Sequence, residues 1–452
     1  MSRKFFGTDG IRGVANQDPI TIENAMRIGM AAGTAIRRNG LPASAVIGRD
    51  TRLSGPMLGA ALASGFCAVG VDVLSLSVVP TPTVAFCARR GYGIGAVISA
   101  SHNPAKDNGI KLLSHEGGKL PDSLELEIEE AMTGDFEARP TGGALGTIFM
   151  DRALVSDYVQ FLVSLVPEGL AGMKVCVDAA NGAAFQLAVA VLEELGADVN
   201  LHYASPDGMN INDHCGATHP SEVQRLTVER GCDIGVAFDG DADRAVFSDD
   251  HGRLINGDRT MAIWGAHWNL EPPVVVGTVM SNSGFEHYLS SKGIKLDRAN
   301  VGDKYVSERI ANTGAKVGGE QSGHIIFPHH GPTGDGLVTM LELLRVLKRE
   351  GRPSSSFFDE FANWPQVLVN MRVADRATWA DQPGVSEAIS EAETMARVNV
   401  RASGTQPIVR VMVEAEEEAQ RDRAKELIVS ALTNQAGGSI YGVVDLTNSL
   451  GE

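Results

Sequence analysis

Short apolar segments alternate with helical patterns along most of the chain, and several of these segments end in polar loops. The segment Val97-Ile98 runs into Ser99-Ala100-Ser101-His102-Asn103-Pro104, and Val236-Ala237-Phe238 runs into a loop with three aspartates. Alternation of strands and helices predicts mostly parallel sheets that are covered on both faces. In such sheets, ligands bind beyond the carboxyl ends of the strands. The pattern therefore predicts an α/β fold whose functional residues lie in these loops.

The alternation starts three times, and a tail of different character follows. It restarts after Gly142-Gly143 and again at Val274-Val275-Val276, whereas the tail beyond Trp364-Pro365 lacks parallel strands punctuated by glycine. A length of 452 residues fits about three or four domains of ordinary size. We therefore predict three similar α/β domains, at residues 1–153, 154–253 and 254–366, and a C-terminal α+β domain at residues 367–452.

The composition narrows the location and the partners of the protein. The net charge is −17, and nucleic acids and anionic membranes are bound through surplus lysine and arginine, so neither is an expected partner. The five cysteines are scattered and lack Cys-x-x-Cys spacing, which is typical of thiols in a reducing cytosol. Without a signal sequence or an apolar run that could span a bilayer, the sequence predicts a cytoplasmic protein.

Ser101 is the central candidate of the first polar loop. Three roles are open for it from this stretch alone: a carrier of a phosphoryl group, a nucleophile activated by His102, or a residue of a plain turn. A Ser101–His102 dyad is disfavoured in an extended chain, because neighbouring side chains then point to opposite sides.

Asp239, Asp241 and Asp243 alternate along the second loop, so that in an extended segment all three carboxylates project to one side. Alone they would repel one another, and a hard divalent cation with oxygen ligands, such as Mg²⁺, relieves that repulsion. An EF-hand calcium loop is excluded, because Arg244 and Asp250 stand where that loop needs glycine and glutamate. The remaining alternative is an acidic surface turn.

Two further groups of polar residues follow. Glu320, Ser322 and His324 share parity after Gly318-Gly319 and suit recognition of hydroxyl and amine groups, with a core histidine as the alternative for His324. Near the N-terminus, Arg12 in the glycine-rich segment 6–13 is a candidate anion contact, and a plain loop is the alternative. In the tail, an arginine fork and backbone donors predict a phosphate cradle, or else an ordinary loop, at Arg401, Ser403, Gly404, Thr405 and Arg410.

Four of these motifs, in this order, resemble the α-D-phosphohexomutase superfamily. They are Ser101-His102-Asn103-Pro104, Asp239-Gly240-Asp241-Ala242-Asp243-Arg244, Gly319-Glu320-Gln321-Ser322-Gly323-His324 and Arg401-Ala402-Ser403-Gly404-Thr405. Three features look like the phosphoglucosamine mutase branch: Gly7-Thr8-Asp9-Gly10-Ile11-Arg12-Gly13, Cys215-Gly216-Ala217-Thr218-His219-Pro220, and Gln321, where the phosphomannomutase and phosphoglucomutase branch more often has methionine. The superfamily usually has glutamate where this chain has Gln406, so we expect altered support of that loop and a retained cradle.

The resemblance implies four domains around a central cleft, with mixed, mostly parallel sheets in the first three. It implies that Ser101 is phosphorylated in the active enzyme and binds one Mg²⁺ together with the three aspartates. Arg12, Arg244 and Lys111 would contact the transferring phosphoryl group. Lys111 and His324 would act as general acid and base on the two sides of the sugar.

The activity that the resemblance implies is the interconversion of glucosamine 6-phosphate and glucosamine 1-phosphate, which feeds UDP-N-acetylglucosamine and cell-wall synthesis. A hexose 1,6-bisphosphate would be the intermediate and the activator. Glu320 and Ser322 would bind the sugar, and the C-terminal cradle would hold the phosphate that is not reacting. The alternatives are a mutase for glucose or mannose phosphates, a phosphatase of the haloacid dehalogenase type with Asp239 as nucleophile, and a silent sugar-phosphate-binding protein. A homodimer is left open.

Overall fold

The computed structural model of the chain describes residues 6, 10–134, 136, 139–375, 378–403 and 408–451. These residues form four sheets, one in each of four consecutive units along the chain. None of the described helices is both long and apolar enough to cross a membrane.

The first unit is a mixed sheet with the strand order β1-β5-β4-β2-β3-β6. Its elements are β1 (Ile11–Val14), α1 (Ile22–Arg38), β2 (Ser44–Arg49), α2 (Gly55–Ala68), β3 (Asp72–Val78), α3 (Thr81–Ala88), β4 (Ile94–Ile98), β5 (Asp107–Ser114), α4 (Asp122–Thr133) and β6 (Ile148–Met150). Strands β4, β2, β3 and β6 are parallel, whereas β5 and β1 are antiparallel to their neighbours. The segment around Arg12, for which a plain loop was the alternative, is therefore an edge strand.

The second and third units repeat this arrangement. The second contains α5 (Ala153–Ser164), β7 (Lys174–Asp178), α6 (Leu187–Glu194), β8 (Asp198–His202), α7 (Ser221–Arg230), β9 (Ile234–Phe238), β10 (Ala245–Asp249) and β11 (Leu254–Ile255). The third contains α8 (Gly257–His267), β12 (Val274–Thr278), α9 (Ser283–Ser291), β13 (Lys295–Ala299), α10 (Asp303–Thr313), β14 (Gly318–Gly319), β15 (Ile325–Ile326), α11 (Gly336–Glu350) and α12 (Ser354–Phe358). Strand β14 consists only of Gly318 and Gly319, directly before the third polar loop.

The fourth unit is an antiparallel sheet with two helices, as the α+β pattern of the tail predicts. It contains β16 (Gln366–Arg372), α13 (Pro383–Glu393), β17 (Arg397–Ala402), β18 (Ile408–Glu414), α14 (Glu418–Gln435) and β19 (Ser439–Asp445), in the sheet order β17-β18-β16-β19. This unit has its own apolar core, in which Val369, Val411 and Ile428 are buried. A larger apolar cluster runs through the first three units and joins Phe86, Tyr158 and Leu341.

One strand order is common to the three α/β sheets. It reads β5-β4-β2-β3 in the first, β10-β9-β7-β8 in the second and β15-β14-β12-β13 in the third. Within each common set of four strands, three are parallel and the fourth turns back antiparallel beside the last of them. Each of the three polar loops singled out in the sequence is the tip of this returning hairpin. The common topology therefore places the same loop of each unit in an equivalent position.

Candidate active site

Ser101 lies at the tip between β4 and β5, where its backbone adopts φ +51° and its surface is 3% exposed. Its hydroxyl donates a hydrogen bond of 2.6 Å to Oδ2 of Asp239, and Nδ1 of His102 lies 3.2 Å from Oγ of Ser101. The chain is not extended at Ser101, so the expectation that the side chains of Ser101 and His102 point apart is wrong. The shorter contact nevertheless joins Ser101 to the aspartate loop of the second unit.

The loop that carries Ser101 is held by a buried guanidinium group. Arg52, whose side chain is inaccessible to solvent, donates from Nε to Asp50 over 2.8 Å. Its two other nitrogens donate to four carbonyl oxygens of the loop, those of Ser101, Asn103, Pro104 and Asp107. All five donors of the fork are therefore used, and the loop cannot move without breaking bonds to a charged group.

Two further contacts complete this support. Ser99 accepts a hydrogen bond from the backbone N–H of Ser101 and donates its own proton to Asp50, at 2.8 and 2.6 Å. Asn212, from the second unit, donates to the carbonyl oxygen of Ser101 over 2.9 Å. The first and second units thus hold the same carbonyl group. The sequence analysis assigned no role to Arg52 or to Asn212.

Asp239, Asp241 and Asp243 occupy the equivalent tip between β9 and β10, and all three are buried. Their nearest carboxylate oxygens lie within 4.8 Å of one another. The sequence analysis predicted that the three carboxylates lie close together, but it attributed this to an extended segment. The loop is instead a tight turn, with Ala242 at φ +56°. Burial and the charges of Asp243 and Asp241 raise the pKa of Asp239 well above its usual value.

These carboxylates fit a divalent cation. Among the described residues, Oδ1 of Asp241 and Oδ1 of Asp243 are buried and accept no hydrogen bond. A buried anionic oxygen without a donor is costly, and a cation with oxygen ligands removes that cost. Thr81, at the first turn of α3, donates its hydroxyl to Oδ2 of Asp241 over 2.5 Å and its N–H to the carbonyl oxygen. The first unit therefore fixes the orientation of one of the candidate ligands.

Two basic side chains flank Asp243. Nζ of Lys111 lies 3.5 Å from its Oδ2, and Nδ1 of His324 lies 3.6 Å from its Oδ1. Burial opposes ionisation of Asp243, but His324 and Lys111 outweigh it and hold the pKa of Asp243 well below its usual value. Burial alone would lower the pKa of His324, but Asp243 raises it to about 9. Arg244 follows in the same loop, and its backbone N–H donates to Asp239 over 3.2 Å.

Arg12 is brought to the same side of the first sheet as Lys111. In the antiparallel pairing of β1 with β5, Arg12 is directly opposite Gly109, and Lys111 stands two residues further along β5. Residues opposite each other, and residues two apart in a strand, share a face of the sheet. Gly109 has no side chain there, and a Cβ atom at this position would lie 3.0 Å from Cγ of Arg12. The absence of a side chain at Gly109 leaves room for the arginine.

The third tip, between β14 and β15, carries Glu320, Ser322 and His324. It is a turn with Gly323 at φ +90°, in which the N–H of Glu320 donates to the carbonyl oxygen of His324 over 3.1 Å. Oε1 of Glu320 accepts a hydrogen bond from the N–H of Gly302 over 2.9 Å. His324 is buried and lines a cavity of about 430 Å³ between the first and third units.

Ion pairs cross that cavity from one unit to the other. Lys119 of the first unit lies 2.6 Å from Asp303 of the third, and Lys304 of the third lies 2.9 Å from Asp122 of the first. These four residues and His324 line the cavity together. The cavity is large enough for a sugar phosphate and offers both cationic and carboxylate groups.

The predicted phosphate cradle is described in part. Arg401 on β17 is directly opposite Arg410 on β18, and the N–H of Ser403 donates to the carbonyl oxygen of Ile408 over 2.9 Å. Burial and the charge of Arg410 lower the pKa of Arg401. Two guanidinium groups placed side by side repel each other, and a bound anion relieves this repulsion. The other residues of the predicted cradle, Gly404, Thr405 and the atypical Gln406, lie outside the described residues.

The first and second tips are in backbone contact, and Gly240 makes that contact possible. A Cβ atom at residue 240 would lie 2.6 Å from the carbonyl oxygen of Ser101 and 2.8 Å from Cδ1 of Ile211. We expect Gly240→Ala to cost about 1–3 kcal/mol of unfolding free energy, as overpacking does, and to reduce turnover more than Gly143→Ala. Gly143 is a matched control for the added methyl group, because a Cβ atom there would meet no neighbour within 4 Å and its φ is not in the left-handed region. The contact interpretation is contradicted if both variants retain the same turnover.

Comparisons with known proteins agree with this arrangement. Four family models match in order: the α/β/α domains I, II and III of phosphoglucomutase/phosphomannomutase at residues 3–139, 156–252 and 256–363, and the C-terminal domain at residues 368–431. A phosphoglucosamine mutase of Desulforamulus reducens is 46% identical over 92% of this chain and 96% of its own length. One of Paramagnetospirillum magneticum is 45% identical over 97% of this chain and its full length.

Solved structures share the fold over nearly the whole chain. A phosphoglucomutase/phosphomannomutase family protein of Burkholderia thailandensis is 26% identical, with a TM-score of 0.79 over 96% of this chain and 98% of that one. An Aspergillus fumigatus N-acetylphosphoglucosamine mutase, solved with GlcNAc-6P and magnesium, is 17% identical, with a TM-score of 0.64 over 96% of both chains. The predicted superfamily, its phosphoglucosamine mutase branch and the fold class are confirmed. The chain belongs to the phosphoglucomutase/phosphomannomutase family, in its phosphoglucosamine mutase group.

Proposed function

We propose that the chain is an isomerase that interconverts glucosamine 6-phosphate and glucosamine 1-phosphate through a phosphorylated Ser101. The observation that carries this proposal is the 2.6 Å hydrogen bond between the Ser101 hydroxyl and the buried aspartate loop. A hydroxyl at that place can receive a phosphoryl group beside a divalent cation. The name shared by the relatives that are about 45% identical supports glucosamine as the sugar.

The residues that would hold the cation are Asp239, Asp241, Asp243 and phosphorylated Ser101, and we propose Mg²⁺. A phosphate on Ser101 would replace the present hydrogen bond by a contact between two anions, which needs a cation between them. When bound, Mg²⁺ supplies charge neutralisation for the oxygens of the transferring phosphoryl group. The unpartnered oxygens of Asp241 and Asp243 support this assignment.

In the first half-reaction, the O1 hydroxyl of glucosamine 6-phosphate attacks phosphorus of the phosphoserine. The bond from phosphorus to Oγ of Ser101 breaks and a 1,6-bisphosphate forms. One of Lys111 and His324 takes the proton of the O1 hydroxyl, and the other protonates the departing Oγ. In the second half the two groups reverse these roles: Oγ returns its proton to the second group and attacks the 6-phosphate, and glucosamine 1-phosphate leaves with O6 protonated by the first. Both flank Asp243, which orients them. Arg12 and Arg244 would bind the equatorial oxygens.

The bisphosphate has to turn over between the two half-reactions, so the site needs two positions for phosphate. We assign the second position to the C-terminal cradle of Arg401, Ser403, Gly404, Thr405 and Arg410. Glu320 and Ser322 would bind sugar hydroxyl or amine groups through the turn. A trace of hexose 1,6-bisphosphate would act as activator, because it rephosphorylates enzyme that has lost its phosphate. We propose the domain limits 1–153, 154–253, 254–366 and 367–452, although the second sheet extends past residue 253, because β11 pairs with β10.

A coupled assay with Mg²⁺ and a trace of hexose 1,6-bisphosphate tests the proposed activity. We expect kcat/KM to be highest for glucosamine 6-phosphate, above the values for glucose and mannose 6-phosphates. Peptide mapping of freshly prepared protein should find a phosphate on the peptide that bears Ser101. A preference for a neutral sugar would assign the chain to a different mutase specificity, and isomerisation with no phosphopeptide would contradict the carrier scheme.

Metal removal has a predicted effect on stability as well as on activity. Because the three carboxylates converge only in the folded state, Mg²⁺ at 100 times its Kd should add about 2.7 kcal/mol to the unfolding free energy. The chelated enzyme should be inactive and should melt at a lower Tm. Asp241→Asn should abolish the rise in Tm with Mg²⁺, whereas Asp198→Asn, which changes an exposed acid on β8, should keep it. A rise in Tm that both variants retain would contradict this placement of the cation.

We also propose a cytoplasmic location, which the five free cysteines support because a reducing compartment keeps thiols unpaired. A homodimer is the assembly to be tested, by light scattering of the purified enzyme at several concentrations. A mass equal to one chain at every concentration would contradict it.

A further inference from the structure

A second cluster of metal-binding side chains lies away from the aspartate loop. His329 and His330 are in the loop that joins β15 to α11, and Glu342 projects from the second turn of α11. One potential ligand atom from each of the three residues lies within 4.8 Å of the other two. Neither the four motifs nor the proposed reaction uses any of these side chains.

The geometry of the cluster is close to what a tetrahedral ion needs. Nε2 of His330 lies 2.6 Å from Oε1 of Glu342, and the centroids of the two imidazole rings are 4.0 Å apart. Ligands about 2 Å from a tetrahedral zinc ion are about 3.3 Å from one another, a spacing longer than the 2.6 Å contact and within the 4.8 Å that contains all three ligand atoms. Small rotations of exposed His329 and half-buried His330 would reach it.

The carboxylate is already oriented by a second partner. Nε1 of Trp264, on α8, donates to Oε2 of Glu342 over 2.8 Å, and Glu342 is only 3% exposed. A hydrogen bond to the far oxygen of a ligating carboxylate is the arrangement that fixes such ligands in metalloproteins.

We propose that His329, His330 and Glu342 form a second metal site, which binds a divalent ion of the zinc class. Two imidazoles and one carboxylate are ligands that zinc prefers, whereas magnesium selects oxygen donors. A cavity of about 330 Å³ adjoins the cluster and leaves the fourth position open to water. Lys316 and Arg345 line the same cavity, and their charges will weaken the affinity for a cation.

The position of the cluster indicates what a bound ion would do. The carbonyl oxygen of His330 accepts a hydrogen bond from Arg89 of the first unit over 3.1 Å. The imidazole of His330 packs edge-on against Phe161 of the second unit, with the ring centroids 5.9 Å apart. His330 thus lies where the three α/β units meet. An ion bound there would tie that junction together and take no part in phosphoryl transfer.

Cobalt spectroscopy and zinc titration of the full-length enzyme test the site. We expect Co²⁺ to give the intense visible bands of four-coordinate cobalt, because the aspartate site offers only oxygen ligands and a higher coordination number. These bands should persist in Asp239→Asn and disappear in His329→Ala. In competition with a chromophoric chelator, the His329→Ala variant should bind one zinc equivalent fewer than wild type. Zinc should also raise the Tm of wild type by more than that of this variant.

A matched control separates this site from zinc bound by surface histidines. His287→Ala removes an exposed imidazole on α9 and should leave the bands and the zinc stoichiometry unchanged. His329 is exposed, so its replacement should not unfold the protein, and circular dichroism checks this. The proposal is overturned if wild type and His329→Ala bind equal zinc, or if the cobalt bands vanish in Asp239→Asn instead.

Discussion

The Ser101→Ala variant is expected to fold normally and to lose mutase turnover by at least about 10³-fold, which corresponds to ~4 kcal/mol of transition-state free energy. Alanine has no side-chain oxygen to accept the phosphoryl group. Without that acceptor, the reaction would need direct transfer of the phosphoryl group between two sugar phosphates. The fold should be retained, because the substitution removes only one hydroxyl group. The side chain of Arg52 still donates to the backbone carbonyl oxygen of residue 101. The measurement is the coupled assay, with circular dichroism to show that the variant is folded.

A neighbouring serine serves as the control for this prediction. Ser99→Ala removes a hydroxyl that contacts Asp50 and the N–H of Ser101, but it leaves the phosphoryl acceptor in place. We expect turnover that is reduced but well above that of Ser101→Ala, with phosphate still found at Ser101. Full turnover in Ser101→Ala would refute the carrier scheme. Phosphate release that survives Ser101→Ala but is lost in Asp239→Asn would identify a phosphatase with an aspartate nucleophile.

The Arg52→Lys variant is expected to lose about 3 kcal/mol or more of unfolding free energy and more than tenfold in kcat. An ammonium group has three donors, whereas the guanidinium group makes five hydrogen bonds, so at least two buried acceptors lose a charged donor. Burial raises the pKa of Asp50 despite the nearby Arg52, which shows how strongly this carboxylate depends on its partner. The measurements are denaturant unfolding and steady-state kinetics.

Arg49, the last residue of β2, allows a matched comparison. Among the described residues, its side chain makes one hydrogen bond, to the carbonyl oxygen of Asp50, and it is only half-buried. Arg49→Lys should therefore change the unfolding free energy by less than about 1 kcal/mol. If Arg52 positions the loop, its replacement should lower kcat and leave KM nearly unchanged. Equal losses in the two variants, or a loss in KM alone, would contradict the positioning role.

The parallel strands and helices of the fold were predictable from the sequence, because their local patterns of apolar residues are distinct. The apolar segments that became β2, β4, β7 and β9 alternate with helices, which is enough to predict a parallel sheet. The returning strands were missed, because β10 is buried at every position and follows directly on a polar loop. The short strand β14 was not predictable, because it consists of two glycines and has no side-chain pattern.

The candidate site was predictable where one residue type carries the chemistry. Serine and aspartate after buried strands are conspicuous, so Ser101 and the aspartate loop were found, although both loops are turns and not extended segments. Arg52 was not predictable, because its four carbonyl partners lie 49 to 55 residues further along the chain. His329 was not predictable as a candidate ligand either, because Glu342 lies near it only when α11 packs against the loop that precedes this helix.

Each of the three repeated hairpins contributes a different part of the candidate site, and this separation affects how related enzymes can diverge in specificity. Each tip brings one kind of group, namely the hydroxyl of Ser101, the three carboxylates or the turn of residues 320–324. The strands behind each tip are held by their own sheet, so a tip can exchange residues without disturbing the pairing of those strands. Under the proposed function, a change in sugar preference needs to alter only the third tip. New specificities can arise there while the machinery for moving phosphate is inherited intact.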